Sequence, residues 1–472
     1  MSARPLSFFS LLALAVLESC SGSSPAVDAA LADLRLESAV VADAPPPAPP
    51  SVDGAFDDWS GVNVAATDAA GDASGAFDLT TVKAFGRGSM LYLLFDVGKE
   101  LNAGAGAATD GTLRLELALP GRLTVDLRAH ALYTDGDPAQ ALKWTDVAYA
   151  IAPTYASTRF EARIDLARFG VKAGDRIKID FAGSDALPAP AEVVMGPPAA
   201  SPAARSLGRE PGTSLRIASN NTYLDGLGDP ARQARVGRLV KAAAADIYCF
   251  QELGTTDVAA TLKAIDPRGD GATWNVHKVL DVAIASRATL NPLPQSTNAI
   301  AGAALELGGK PLVVFSLRTT CCGYAGDPSD VARVQQMTEV AGTIKKLRDG
   351  ALGTELLAWR DAQVVVVGDW NLVGSRKPLD VMLDPSGPAL SHWQLRHVTV
   401  DDVFTWRSEK VGEFPPGMLD VLVHSPAKLQ RKNGFILDTA DLDAPKLGQL
   451  GLQANDSQAS DHLWLVADFE LR

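Results

Sequence analysis

At 472 residues the chain exceeds what one ordinary hydrophobic core serves, and two domains with linkers are expected. An apolar fraction of 47% with 41 glycines and 29 prolines points to globular, loop-rich domains joined by spacers. The net charge is -13, with the acid surplus mostly before residue 200 and the remainder near neutral, which argues against a broad polyanion-binding surface and tight non-specific duplex binding.

Residues 1–20 read as an export signal. Arg4 is followed by an apolar run from Phe8 to Leu17, too short to span a bilayer as a stable anchor. The run ends Leu17-Glu18-Ser19-Cys20, which resembles a bacterial lipoprotein processing site with Cys20 as the acylated first residue. Glu18 is atypical there, so ordinary cleavage nearby is the rival. Residues 21–50, with their Pro/Ala run from Asp43 to Pro50, read as a tether without a packed core. The expected location is therefore a bacterial outer membrane or periplasm, by a lipid anchor at Cys20, or the extracellular space.

Residues 51–195 carry an all-β pattern. Strands are expected at Met90–Asp96, Thr112–Leu119, Arg122–Ala129, Arg159–Leu166 and Arg176–Phe181, several alternating with period two, with a turn at Pro120-Gly121. Short strands with such turns suggest a β-sandwich. Val52 to Trp59 (VDGAFDDW), Leu91 to Phe95 and Glu161 to Leu166 together resemble the family 9-like carbohydrate-binding sandwich, which implies glycan binding. On the residues themselves, Trp59 fits an edge of the core better than a sugar-stacking platform. Asp57, Asp58, Asp68 and Asp72 fit solvated loop acids, though a loop-bound ion would suit them.

A Pro/Ala/Ser/Gly-rich linker at 196–213 leads to alternating β and α segments from 214 to 472. Strands are expected at Leu215–Asn221, Asp246–Glu252, Val282–Arg287, Pro311–Arg318, Gln363–Gly368, Asp401–Trp406, Met418–Val423 and His462–Phe469, with helices at Asp229–Ala245 and Val331–Leu347. The run Val364 to Asn371, VVVVGDWN, organises this half. Four β-branched residues read as a buried central strand, Gly368 permits a tight turn, and Asp369 and Asn371 then face one pocket. Such a pair suits a hydrated cation, a nucleophilic water or a phosphoryl oxygen, although Gly-Asp-x-Asn is also an ordinary turn.

Polar signals recur where the other strands end: Asn221, Glu252, Asp420 and Ser460-Asp461-His462. Asn-Asn-Thr-Tyr (220–223), Phe-Gln-Glu-Leu (250–253), Val-Val-Gly-Asp-Trp-Asn (366–371), Phe-Thr-Trp-Arg (404–407), Met-Leu-Asp-Val-Leu (418–422) and Ser-Asp-His (460–462) together resemble the endonuclease/exonuclease/phosphatase superfamily. The resemblance implies a four-layered α/β sandwich of DNase I-like type and a Mg²⁺-dependent phosphodiesterase, with Mn²⁺ or Ca²⁺ as alternatives. It makes Glu252 the principal metal ligand with Asn221 beside it, and has Asp461 hold a metal or orient His462. Asp369 would align or deprotonate water, Asn371 and Thr405 would contact phosphate, and Asp420 would act behind the site or as general acid. His462 would accept a proton or stabilise the transition state, and a neutral imidazole can move protons near pH 7. The substrate would be a nucleic acid, a lipid headgroup or a small ester, and a monomer is expected.

One departure stands out. The family usually ends its central strand with a histidine, whereas here the strand reads Phe-Ser-Leu-Arg from 315 to 318, placing Arg318 (or Leu317) at that position. Arginine clamps a phosphate oxygen but relays no proton at neutral pH. The readings open at this point are a slower enzyme, recruitment of His277, or a non-catalytic phosphate- or glycan-binding envelope protein. Arg318 would be a phosphate clamp or a structural partner of Asp327 or Asp330. The adjacent Cys321 and Cys322 allow a vicinal disulfide, two thiols or an interchain bond, and Cys249 reads as a small buried hydrophobe.

Overall fold

Period-two alternation puts Leu91, Leu93 and Phe95 on one side of the strand Met90–Leu101, and all three are buried. This strand is the middle of a five-stranded sheet, ordered Val64–Thr67, Thr81–Arg87, Met90–Leu101, Ser157–Asp165, Ala150–Ala152. A six-stranded sheet, ordered Ala191–Val194, Arg176–Gly183, Leu113–Leu119, Gly121–Asp126, Ala131–Thr134, Ala141–Leu142, shares its core. Leu117, Val125, Ile179 and Phe181 of the second sheet pack in one cluster with Leu93, Phe95 and Phe160 of the first. The expected turn at Pro120-Gly121 is a hairpin that pairs Leu119 with Gly121. The N-terminal domain is thus a β-sandwich. The computed structural model describes residues 48–106, 110–200, 203–294 and 296–472, so the export signal, Cys20 and nearly all of the tether lie outside the described residues.

Two mixed six-stranded sheets follow. The first is ordered Asn275–Val279, Val282–Ser286, Ile247–Gln251, Leu215–Asn221, Trp464–Leu471, Leu429–Leu437. The second is ordered Asn291–Pro292, Ile300–Leu307, Lys310–Arg318, Gln363–Asp369, Asp420–His424, Ser391–His392. In the strand Gln363–Asp369, Val365 and Val367 point into the core between the sheets, beside Ile217, Ile284 and Leu465. Val364 and Val366 point outward against Met337, Val340 and Ile344 of the helix Pro328–Arg348. Burial on both faces explains the unbroken valine run. The outer face of the first sheet is covered by the helices Gln233–Ala243 and Val258–Ile265. The result is four layers, α/β/β/α.

Gly368 lies inside this strand rather than ending it, with φ +145°. A Cβ there would stand 2.2 Å from the Leu317 carbonyl oxygen, so the close approach of the two strands requires glycine. Asp401–Trp406 forms no strand. Trp406 makes only isolated bridges to Gly417 and His462, and the amides of Thr405 and Trp406 both donate to the Gly417 carbonyl. The strands Ile300–Leu307 and Leu429–Leu437 were not expected. The second carries Gln430-Arg431-Lys432-Asn433 on a bulged edge, which hides the apolar pattern. Among the described residues no helix is long and apolar enough to cross a membrane.

Candidate active site

Three neighbouring strands, Lys310–Arg318, Gln363–Asp369 and Asp420–His424, bring Arg318, Asp369 and Asp420 into register at one end of the second sheet. The ends of Leu215–Asn221 and Ile247–Gln251 bring Asn221 and Glu252 to the same end of the first sheet. Glu252, Asp369, Asn371, Asp461 and His462 line one cleft of about 290 Å³. Asn221 and Asp420 stand behind them, both buried.

Hydrogen bonds order this group. His462 Nδ1 lies 2.8 Å from Asp420 Oδ2, and its Nε2 is 3.9 Å from Asp369 Oδ2. A carboxylate only accepts, so Nδ1 carries a hydrogen. Burial alone would push the imidazole pKa down, but Asp420, Asp369 and Asp461 around it hold it up, to about 10. His462 is therefore an imidazolium at neutral pH in these surroundings, not the neutral ring the sequence suggested. Burial pushes the Asp369 carboxyl up to about 6, Asp420 adds to the rise and His462 opposes it.

The two asparagines hold the carboxylates. Asn371 donates its backbone N–H to Asp369 Oδ1 at 2.9 Å, and its Nδ2 lies 3.0 Å from both Asp369 Oδ2 and the Thr319 carbonyl. Its amide hydrogens are thus engaged within the protein. Asn221 Nδ2 lies 3.0 Å from Asp369 Oδ2 and 3.1 Å from Glu252 Oε1, while its Oδ1 accepts from the Tyr223 amide. In this orientation Asn221 positions carboxylates rather than presenting an oxygen to a cation. The backbone beneath is held against its preference: Tyr223, Leu224, Asp225, Glu252, Cys322 and Asn371 all have φ between 43° and 66°. Such left-handed residues persist where surrounding bonds fix them, as the Leu224 amide does by donating to Glu252 Oε2 at 3.0 Å.

Two residues assigned to the site from sequence lie outside the cleft lining. Thr405 does not line the cleft; its Oγ1 accepts the backbone amides of Leu419 and Asp420, at 3.0 and 2.9 Å. It therefore sets the strand that carries Asp420. Arg318 also lies outside the cleft lining. Its Nη2 is 2.6 Å from Asp281 Oδ2, in a shallow depression with Asn298, Thr320 and Gln336. Its partner is neither Asp327, which caps the helix Pro328–Arg348, nor Asp330. His277 lies in the strand Asn275–Val279 and does not line the cleft either. The vicinal cysteines form a disulfide at the cleft rim, and Cys249 is buried.

Sequence reasoning gave no role to Trp406 or Arg333, and named Ser460 as a polar signal without one. Trp406 lines the cleft and donates Nε1–H to Asp461 Oδ2 at 3.0 Å. Ser460 donates to the Asn221 carbonyl and accepts from the His462 amide, tying the His462 turn to the end of the strand Leu215–Asn221. Both lay inside quoted motifs, whose wider context was the available signal. Arg333, fully buried, donates to the Thr320 and Cys322 carbonyls and so fixes the disulfide loop; nothing in a helical arginine announces that.

The donor set suits a divalent cation. Asp461 Oδ1 is buried and without a partner among the described residues. Burial raises the Asp461 carboxyl, His462 lowers it, and the nearby Glu252 charge raises it further. A cation between Glu252 and Asp461 would satisfy that oxygen and relieve the repulsion. A second group of candidate ligands, Asp369, Asp420 and His462, lies within 4.8 Å, but there the imidazolium already balances the carboxylates. The same holds for His397, whose Nδ1 and Nε2 face Asp441 and the Phe404 carbonyl. Asp68, Asp72 and Asp185 form a third acidic group, in the N-terminal sandwich.

The Endonuclease/Exonuclease/phosphatase family matches residues 218–462. No curated protein matches the chain. Among solved structures, the human Nocturnin catalytic domain with bound sulfate anion is 15% identical, covering 55% of this chain and 94% of that one, TM-score 0.37. D. rerio TDP2 complexed with single strand DNA product is 17% identical over 54% of this chain and 98% of that one, TM-score 0.36. Beta toxin from Staphylococcus aureus is 17% identical over 54% and 99%, TM-score 0.35.

Proposed function

The chain belongs to the endonuclease/exonuclease/phosphatase family, and on that premise we propose that it is a divalent-metal-dependent phosphodiester hydrolase. The observation that carries the reading is the convergence on one cleft of Glu252, Asp461, Asp369 and the Asp420–His462 pair. Glu252 and Asp461 would hold the cation, most simply Mg²⁺, which when bound neutralises charge on the non-bridging phosphate oxygens. Asp369, raised toward neutrality and held by both asparagines, takes the proton of the attacking water. His462, kept cationic by Asp420, stabilises the charge that develops at phosphorus.

The non-catalytic alternative drew on Arg318, and that side chain is engaged by Asp281 outside the cleft. Glycan binding through the N-terminal sandwich lacks its aromatic candidate, since Trp59 is fully buried with Nε1 2.8 Å from Glu161 Oε2. Export, with acylation at Cys20, is part of the proposal and rests on residues 1–20 alone. The test is a panel of plasmid, single-stranded DNA, RNA, sphingomyelin and a bis-aryl phosphate with Mg²⁺, Mn²⁺ or Ca²⁺. Turnover of at least one that chelation abolishes is expected; no metal-dependent turnover on any of them removes the reading.

A further inference from the structure

We propose that the N-terminal sandwich is a working wall of the hydrolase cleft, selecting phosphodiesters that carry one apolar ester group. This rests on the hydrolase reading and extends it to the substrate. Besides the polar floor, the cleft is lined by Ala103, Ala105, Ile151 and Pro153 of the sandwich and by Phe414 and Pro415 of the 409–417 loop. Residues 48–472 form one compact unit, and Asn102 beside the wall is bonded directly to the segment that follows Asn371. Asn102, buried, has Nδ2 2.6 Å from the Val373 carbonyl and 3.1 Å from the Gly374 carbonyl, and its Oδ1 accepts the Ala325 amide at 2.8 Å. Val373 and Gly374 lie two and three residues after Asn371, so the sandwich holds the segment that holds Asp369.

The loop that completes the wall is also shaped by the sandwich. Trp144 Nε1 donates to the Glu413 carbonyl at 2.7 Å, and the His130 and Phe414 rings lie 3.8 Å apart. Thr154 Oγ1 accepts the Met418 amide at 2.8 Å on the far side of the same loop. A phosphate seated on the floor places one ester substituent against this wall. A hydrated sugar–phosphate continuation loses water there without replacement bonds, whereas an apolar group gains by burial. A cavity of about 290 Å³ holds one small substituent.

The experiment is calorimetric titration, with Mg²⁺, of monoalkyl methylphosphonates from methyl to butyl, which keep the tetrahedral anion without being cleaved. Affinity is expected to rise about fourfold per methylene. Ala105→Asp is expected to flatten that gradient, and Ala105→Ser, a smaller change, to weaken it if the charged variant fails to fold. A flat gradient in the unaltered protein, or an undiminished one in folded Ala105 variants, overturns the proposal. Lack of any metal-dependent affinity for the methyl member removes the hydrolase reading and this one with it; a methyl member that binds beside a flat series removes this one alone. Two substrates then identify the apolar group: a short single-chain glycerophosphocholine as monomer, and phenyl methyl phosphate. Faster turnover of the first assigns a chain and of the second a ring; both no faster than dimethyl phosphate overturns the selection.

Discussion

At the residue scale the site divides into groups that face the cleft and groups that hold them. Asp369 is in the first class, and its raised carboxyl must be ionised to accept a proton. Activity should therefore rise as pH rises through about 6, with the limb displaced downward as bound cation accumulates. Asp369→Asn should lower kcat by about 10² to 10⁴ and abolish that limb. A pH–rate profile checks both, and a limb retained in the variant assigns it to another group. Thr405 is in the second class. Thr405→Val leaves the half-buried Leu419 and buried Asp420 amides without their acceptor, a loss of about 1 to 3 kcal/mol read in urea unfolding. Its affinity for inorganic phosphate should be unchanged at matched folded fraction. Asp369, Asn371, Glu252, Asp461 and His462 were legible because a motif lists the chemistry at a strand end. The inward or outward direction of Thr405 and Arg318 was not, since it depends on partners far along the chain.

At the element scale, the helix Pro328–Arg348 does more than cover a sheet. It carries Arg333 to the disulfide loop, where the guanidinium binds two carbonyls and faces Asp330 at 3.5 Å. Arg333→Ala leaves the Thr320 and Cys322 carbonyls without this donor and Asp330 without its cation, and should cost about 3 to 5 kcal/mol. Arg318→Ala breaks a half-exposed pair and should cost less than about 1 kcal/mol. Thermal unfolding of the two variants side by side distinguishes a buried charge from a surface one, and equal losses would contradict the assignment. The valine strand and the amphipathic helix Gln233–Ala243 were readable from periodicity. The Asp401–Trp406 segment was misread because apolar Val403, Phe404 and Trp406 mimic a strand, while the Gly417 carbonyl takes both of its key amides. Leu429–Leu437 escaped notice because edge charges and a bulge break its alternation.

At the scale of the whole molecule, the two sandwiches are joined by side-chain to backbone bonds between residues some 270 positions apart, such as Asn102 to Val373. Pairs of that kind leave no periodic mark, so the sequence suggested a linker and two independent modules. The N-terminal segment is pinned to its sandwich by Glu161, whose carboxylate accepts from Asp53, Gly54 and Trp59. Burial raises its pKa from 4.5 to about 7 despite those donors. A raised carboxyl stabilises the fold at low pH, and this contribution is lost as pH rises from 4.5 through about 7. Glu161→Gln should remove that part of the stability–pH slope, on the order of 3 kcal/mol in the unaltered protein. Melting temperatures across this range test it, and an unchanged slope would place the titration elsewhere.

The proposed hydrolysis depends most directly on a cation held between Glu252 and Asp461. Its test is the rate of cleavage of a small bis-aryl phosphate titrated with Mg²⁺, for the unaltered protein and for Glu252→Gln. The expected result is saturable activation in the first, and in the second a markedly higher Mg²⁺ requirement or no activity. Turnover that persists after chelation, or a Glu252→Gln protein with the same Mg²⁺ dependence as the unaltered chain, would contradict it.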